Sequence, residues 1–180
     1  MRAGPSPDAL HARIFIGTIA GREHRVSPAP NSYPKRGIMG KARVTGTTIE
    51  AIRAAEMALG RTLPCSFARW LLEHNGKALG ALEVFPVFDA RDPRKTWESI
   101  VRHFEGGWRA WQDNVCADPA GFSNLLPFAQ FGTGDYYCFD YAVLGEAGEP
   151  VVVLWSHETG ATSVVADGYA AFLASTDRPG

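Results

Sequence analysis

The side chains best suited to chemistry lie in the last third of the chain: Asp135 and Asp140, Cys138, the pair His157-Glu158, and the turn Gly132-Thr133-Gly134. Two carboxylates can share a proton, an imidazole beside a carboxylate can act as a general base or hold a metal, and a glycine turn can cradle phosphate. Spacing argues against most of these uses. Asp135 and Asp140 stand five apart on one predicted strand, so alternation sends them to opposite faces and no shared acid/base pair is expected. The glycine turn runs into a strand pattern and has no helix N-terminus to offer a phosphate. Asp135 at its mouth most simply accepts backbone N–H groups, with the glycines supplying positive φ. Cys138 falls mid-strand among large aromatics, where a thiol is buried and inert. His157 and Glu158, at a strand end with Asp135 or Asp140 near in space, remain as candidates for a metal site or general-base pair. His74 and His103 have no His or Glu at i+4, and there is no Gly-x-Ser-x-Gly elbow, Walker loop or Rossmann fingerprint. No catalytic residue, cofactor or metal is therefore expected.

The elements that position these residues can be read from periodicity. Thr47 can cap a first helix, with Glu50 completing a capping box, and Ile49, Ile52, Ala55 and Leu59 give its apolar stripe up to a stop at Gly60. A second helix restarts at Leu63-Pro64 and runs to His74, with Phe67, Trp70 and Leu71 inward and Asn75-Gly76 closing it. Residues 81–87 alternate as a strand that Pro86 confines to an edge, an end or a bulge. Trp97, Ile100, Val101 and Phe104 space a third helix ending at Gly106-Gly107, and Trp108 and Trp111 a shorter fourth. This tryptophan-rich stretch either roofs a sheet or forms a binding surface. Leu126 to Asp140 supplies two strands around the glycine turn, followed by strands at 151–155 and 162–166. A last helix, capped by Asp167, faces inward with Tyr169, Phe172 and Leu173.

Composition bounds the rest. A chain of 180 residues, 46% hydrophobic, makes one core. The net charge of −1 gives no argument for nucleic acid or a membrane, but residues 1–46 hold eight Lys or Arg against Asp8 and Glu23, leaving −7 for residues 47–180. Residues 1–46, with five prolines and no sustained period, read as a mobile basic tail, residues 47–175 as the folded domain, and 176–180 as a frayed end. Three cysteines without a CxxC pair fit a reducing compartment, and no apolar run approaches the length of a membrane helix, so the cytoplasm is the expected location.

Two runs carry a family resemblance. Ala55-Glu56-x-x-Leu59-Gly60-x-x-Leu63-Pro64-x-Ser66-Phe67-x-x-Trp70-Leu71-Leu72-x-x-Asn75-Gly76, followed by Leu126-Pro127-Phe128-Ala129-x-x-Gly132-x-Gly134-Asp135-x-Tyr137-Cys138-x-Asp140, resembles the SMI1/KNR4 family of the SUKH superfamily. Glu149-Pro150-Val151, Trp155-Ser156-His157-Glu158 and the segment from Val165 to Leu173 follow in that family's order. The basic tail and the stretch from Thr96 to Asn114 depart from it. The resemblance implies an α+β domain, helices packed on a mainly antiparallel sheet, that binds proteins. It further implies an immunity protein neutralising a cognate toxin such as a nuclease, a scaffold or regulatory module being the alternative and a small hydrolase the weaker one. On that reading Asp135, Tyr136, Asp140, His157, Glu158, Trp97 and Trp108 are the candidate partner-binding residues.

Overall fold

A computed structural model describes residues 45–115 and 119–176. The expected tail lies, up to residue 44, outside the described residues, as do Cys116 and the last four positions. Five antiparallel strands form a meander in the order β1-β2-β3-β4-β5, with β1 at Glu83–Val84, β2 at Leu125–Gln130, β3 at Tyr136–Leu144, β4 at Pro150–Trp155 and β5 at Thr162–Ala166. The hairpin around the glycine turn thus brings β3 to the middle of the sheet. Proline 127 has no N–H to give an internal ladder, and the register shifts directly after it, so that Phe128 is the extra residue of a bulge. The strand expected over 81–87 is reduced to two paired residues because Pro86 follows, although the Phe85 amide still reaches the Phe128 carbonyl at 2.8 Å.

Helices cover both faces of the sheet. On one side α2 (Cys65–His74) and α5 (Tyr169–Thr176) pack Phe67, Trp70, Tyr169 and Phe172 against Phe128 and Phe139, with ring centroids 4.9 Å apart for Phe67 and Tyr169 and 4.2 Å for Phe128 and Phe139. On the other, Trp108 and Trp111 lie edge-to-face on Trp155 of β4 at 5.1 and 4.4 Å. They belong to one helical arm: α3 (Ile100–His103), a π-helical turn (Phe104–Trp108) and α4 (Arg109–Val115). The stop expected at Gly106-Gly107 does not occur. The helix passes through both glycines by widening to the π turn, which swings Trp108 beneath it.

Three helix starts differ from the sequence reading. The cap of α1 (Ile49–Leu59) is Thr48, whose hydroxyl accepts the Ala51 amide at 3.2 Å, while Thr47 is buried and committed elsewhere. Pro64 at the start of α2 has no capping side chain. Glu149, from the β3–β4 turn, supplies one by accepting the Ser66 amide at 2.8 Å and the Ser66 hydroxyl. Asp167 likewise faces the Glu146 amide, at 3.4 Å, and the Gly168 carbonyl opens α5.

Candidate functional site

Between β1 and α3 the chain runs from Phe85 to Ser99 with almost no regular structure. It is nevertheless fixed, because the five buried polar side chains among the described residues, Thr47, Asn75, Asp89, Thr96 and Ser99, all hold this loop or the helix that follows it. The Asn75 side chain bonds both the amide and the carbonyl of Val87 at 2.9 Å. Asp89 accepts the Thr47 hydroxyl at 2.8 Å, the Arg91 amide at 2.9 Å and the Arg91 guanidinium at 2.6 Å. These donors, the guanidinium first, hold the Asp89 carboxyl down at about 2, against an ordinary 3.8. Thr96 accepts the Asp89 amide at 2.9 Å and donates to the Asp92 carbonyl, and Ser99 caps α3 by accepting the Arg102 amide.

What this frame presents to solvent is aromatic. Phe88 and Trp97 are 45% and 55% exposed, and both line an open groove of about 770 Å³ with Glu98, Val101, Arg102, His103, Glu105 and the two glycines of the π turn. Arg102 lies over the Trp97 ring at 4.8 Å and pairs with Glu98 at 3.3 Å. The groove floor holds His103, stacked on Phe85 at 3.6 Å, and its burial pushes the imidazole pKa below 6.5. At the far end a Cβ on Gly107 would come 3.8 Å from the Tyr136 hydroxyl. The π turn at this end of the groove thus meets the side chain of Tyr136, the first residue of β3.

There the sheet ends in two adjacent turns. Asp135 accepts both the backbone amide of His157 at 3.0 Å and its ring Nδ1 at 2.9 Å, and these bonds lower the Asp135 pKa. Gly134, at φ +96, packs against the same imidazole. The pair is a general-base geometry in outline, yet both bonds fall on one carboxylate oxygen, Oδ1, and tie one turn to the other. Cys138, on the same hairpin, is fully buried with its thiol pKa pushed well up by desolvation. Among the described residues no three His, Cys, Asp or Glu side chains converge as a metal site would require.

The seven candidate residues are thus divided. Asp135, His157 and Glu158 share the turn end of the sheet, with Glu158 exposed and Tyr136 half-buried among Trp108, Trp155 and Phe85. Asp140 lies about 17 Å along β3 at 3.4 Å per residue and is half-buried, accepting the Ala142 amide. Trp97 is on the groove. Trp108 is only 1% exposed and roofs the sheet, so it has no surface to give a partner. Sequence reading missed Phe88, which lies just past the strand expected over 81–87; its partnership with Trp97 depends on Asp89 and Thr96 folding the intervening loop back.

None of the described helices is long and apolar enough to cross a membrane. No curated protein matches the chain. The family model of SMI1/KNR4 (SUKH-1) matches residues 46–175, a span that contains α1 through β5, the aromatic groove, the Asp135–His157 turns and all but the last residue of α5, and the chain belongs to that family.

Proposed function

We propose that this chain is a non-catalytic protein-binding module that serves as an immunity protein, silencing a cognate toxin by covering its active surface. The observation that carries the reading is the Phe88–Trp97 platform, two exposed aromatic rings on a loop whose buried polar groups are spent on holding it still. A loop ordered before the encounter loses little entropy on binding, and rigid exposed aromatics are where interface energy concentrates. Family membership supports protein binding as the mode of action. The −7 balance of residues 47–180 would speed the approach of a basic surface such as a nuclease groove. Asp135, His157 and Glu158, at the turn end of the sheet, would add polar contacts beside the aromatic groove. Cys65 and Cys138 are free thiols, which fits action in a reducing cytoplasm.

The test is co-expression with the product of the adjacent open reading frame. Protection of the host and a complex on size-exclusion chromatography, both lost with Trp97→Ala, are the expected results. A neighbouring product that is not toxic, or that is toxic and is neither bound nor neutralised, overturns the immunity reading. Association with host proteins in its place would mark a scaffold of the same fold.

A further inference from the structure

The two edges of the sheet are built differently. The outer edge of β1 is two residues long and is followed at once by Phe85-Pro86, which ends it. The opposite edge, β5, runs Thr162-Ser163-Val164-Val165-Ala166 and pairs only with β4 among the described residues. It carries none of the charges or prolines that commonly guard an edge. Val164 pairs with Val153 and so shares its face of the sheet; Val153 is 2% exposed and Val164 67%. The tryptophan roof therefore stops over β4 and leaves β5 bare, with Val165, the extra residue of a bulge, 41% exposed beside it.

Charge says what could lie there. From residue 110 to residue 177 the sequence contains no Lys or Arg, and Glu158 precedes β5 while Asp167 follows it with Glu146 against it. An antiparallel second copy would set Glu158 near Asp167 of its mate, acid against acid, which opposes self-pairing. We propose that the β5 edge receives an extended segment of a partner protein, apolar at its centre and bearing Lys or Arg at both ends, as an added strand. Main-chain hydrogen bonds along Thr162 to Val164 would hold it, Val164 would take its apolar side chains, and the flanking acids would select its basic ends. The bulge at Val165 limits the ladder to a short segment. This edge is the one opposite β1, the strand that leads into the groove loop, and the inference stands whether or not the partner is a toxin.

The probe is a blocked peptide, Lys-Lys-Val-Thr-Val-Thr-Val-Lys-Lys, added to the full chain and followed by amide chemical shifts and hydrogen exchange. The expected result is that shifts and new protection centre on Thr162 to Val164 and that binding weakens as salt is raised. Val164→Lys and Glu158→Lys, both at exposed positions, should each weaken it by about tenfold or more with unchanged thermal unfolding. Trp97→Ala should leave it intact. No response at β5, equal binding of the same peptide with Glu in place of Lys, or a self-associated dimer through β5 in sedimentation would overturn the proposal.

Discussion

Asp89 and Thr47, 42 residues apart in sequence, meet through a 2.8 Å hydrogen bond that ties the groove loop to the residue before the α1 cap. The carboxylate is 4% exposed and takes charge-assisted bonds from an arginine that is itself half in water. Asp89→Ala removes the acceptor and leaves the Thr47 hydroxyl and the Arg91 amide without it, and it should cost about 2–4 kcal/mol. Asp89→Asn keeps an acceptor but not the charge and should cost about half as much. Urea unfolding of the two variants measures both, and proteolysis of the 88–97 loop should accelerate in the alanine variant.

The same carboxyl sets an acid limit. Its folded value is near 2 and its ordinary value 3.8, so an unfolded chain takes up the proton first. The stabilisation is complete above about pH 4 and is lost as pH falls toward 2, amounting to about 2 kcal/mol at 1.36 kcal/mol per pH unit. His103 adds an earlier loss. Its imidazole is held neutral by burial, against the attraction of Glu83 and Glu98 and with help from Arg102. The folded state thus resists the proton that the unfolded chain accepts at 6.5, and stability should begin to fall as pH drops through 6.5. Thermal unfolding at a series of pH values should show two declining steps, and His103→Phe should remove only the upper one.

Legibility followed the range of the interactions. The sheet was readable because β4, β5 and the Leu126–Asp140 hairpin each declare themselves in a few consecutive residues, through alternation, an apolar run or a glycine turn. The caps were less so. Thr47 looks like the cap of α1 locally, but its hydroxyl is claimed by Asp89, and the cap of α2 comes from Glu149, 83 residues away. Candidate surface residues were least legible of all. Trp97 and Trp108 are the same residue type, and it is the π turn, read locally as a Gly106-Gly107 stop, that carries Trp108 beneath the helix while Trp97 stays on the exposed loop before α3.

Gly134 joins the two turns at the end of the sheet. Its φ of +96 strains any L side chain, and an added Cβ would meet the His157 ring at 3.3 Å. Gly134→Ala should therefore cost about 1–2 kcal/mol and shift the His157 ring resonances. Gly132→Ala, with nothing within 4 Å of its Cβ, should stay within about 0.5 kcal/mol of the parent. Equal effects at the two positions would mean that the Asp135–His157 link does not constrain the turn.

Gly106 offers the opposite case. It sits inside the π turn, its φ is not positive, and a Cβ there would meet nothing within 4 Å. Glycine in a helical interior leaves backbone entropy unspent, so Gly106→Ala should stabilise by about 0.5–1 kcal/mol and raise the melting temperature by a few degrees. A loss of stability would instead show that the turn needs the freedom of glycine to pass Trp108 under the helix.

Trp97 and Trp108 separate binding from folding most directly. Trp108 is 1% exposed and meets Trp111, Trp155 and Tyr136 edge-on or stacked within 6 Å. Trp108→Ala should open a cavity and cost about 3–5 kcal/mol. Trp97 is over half exposed, and its principal ring contact is the Arg102 guanidinium at 4.8 Å, an exposed pair. Removing it should change stability by no more than about 1 kcal/mol. If the groove is where a partner docks, Trp97→Ala should nevertheless weaken the complex by more than about tenfold, since a loss above 2 kcal/mol is what a central aromatic of an interface delivers. Chemical denaturation and titration of the same two proteins against the partner decide the matter. A Trp97→Ala variant that binds as tightly as the parent removes the platform from the interface, and one that unfolds as readily as Trp108→Ala makes Trp97 a structural residue.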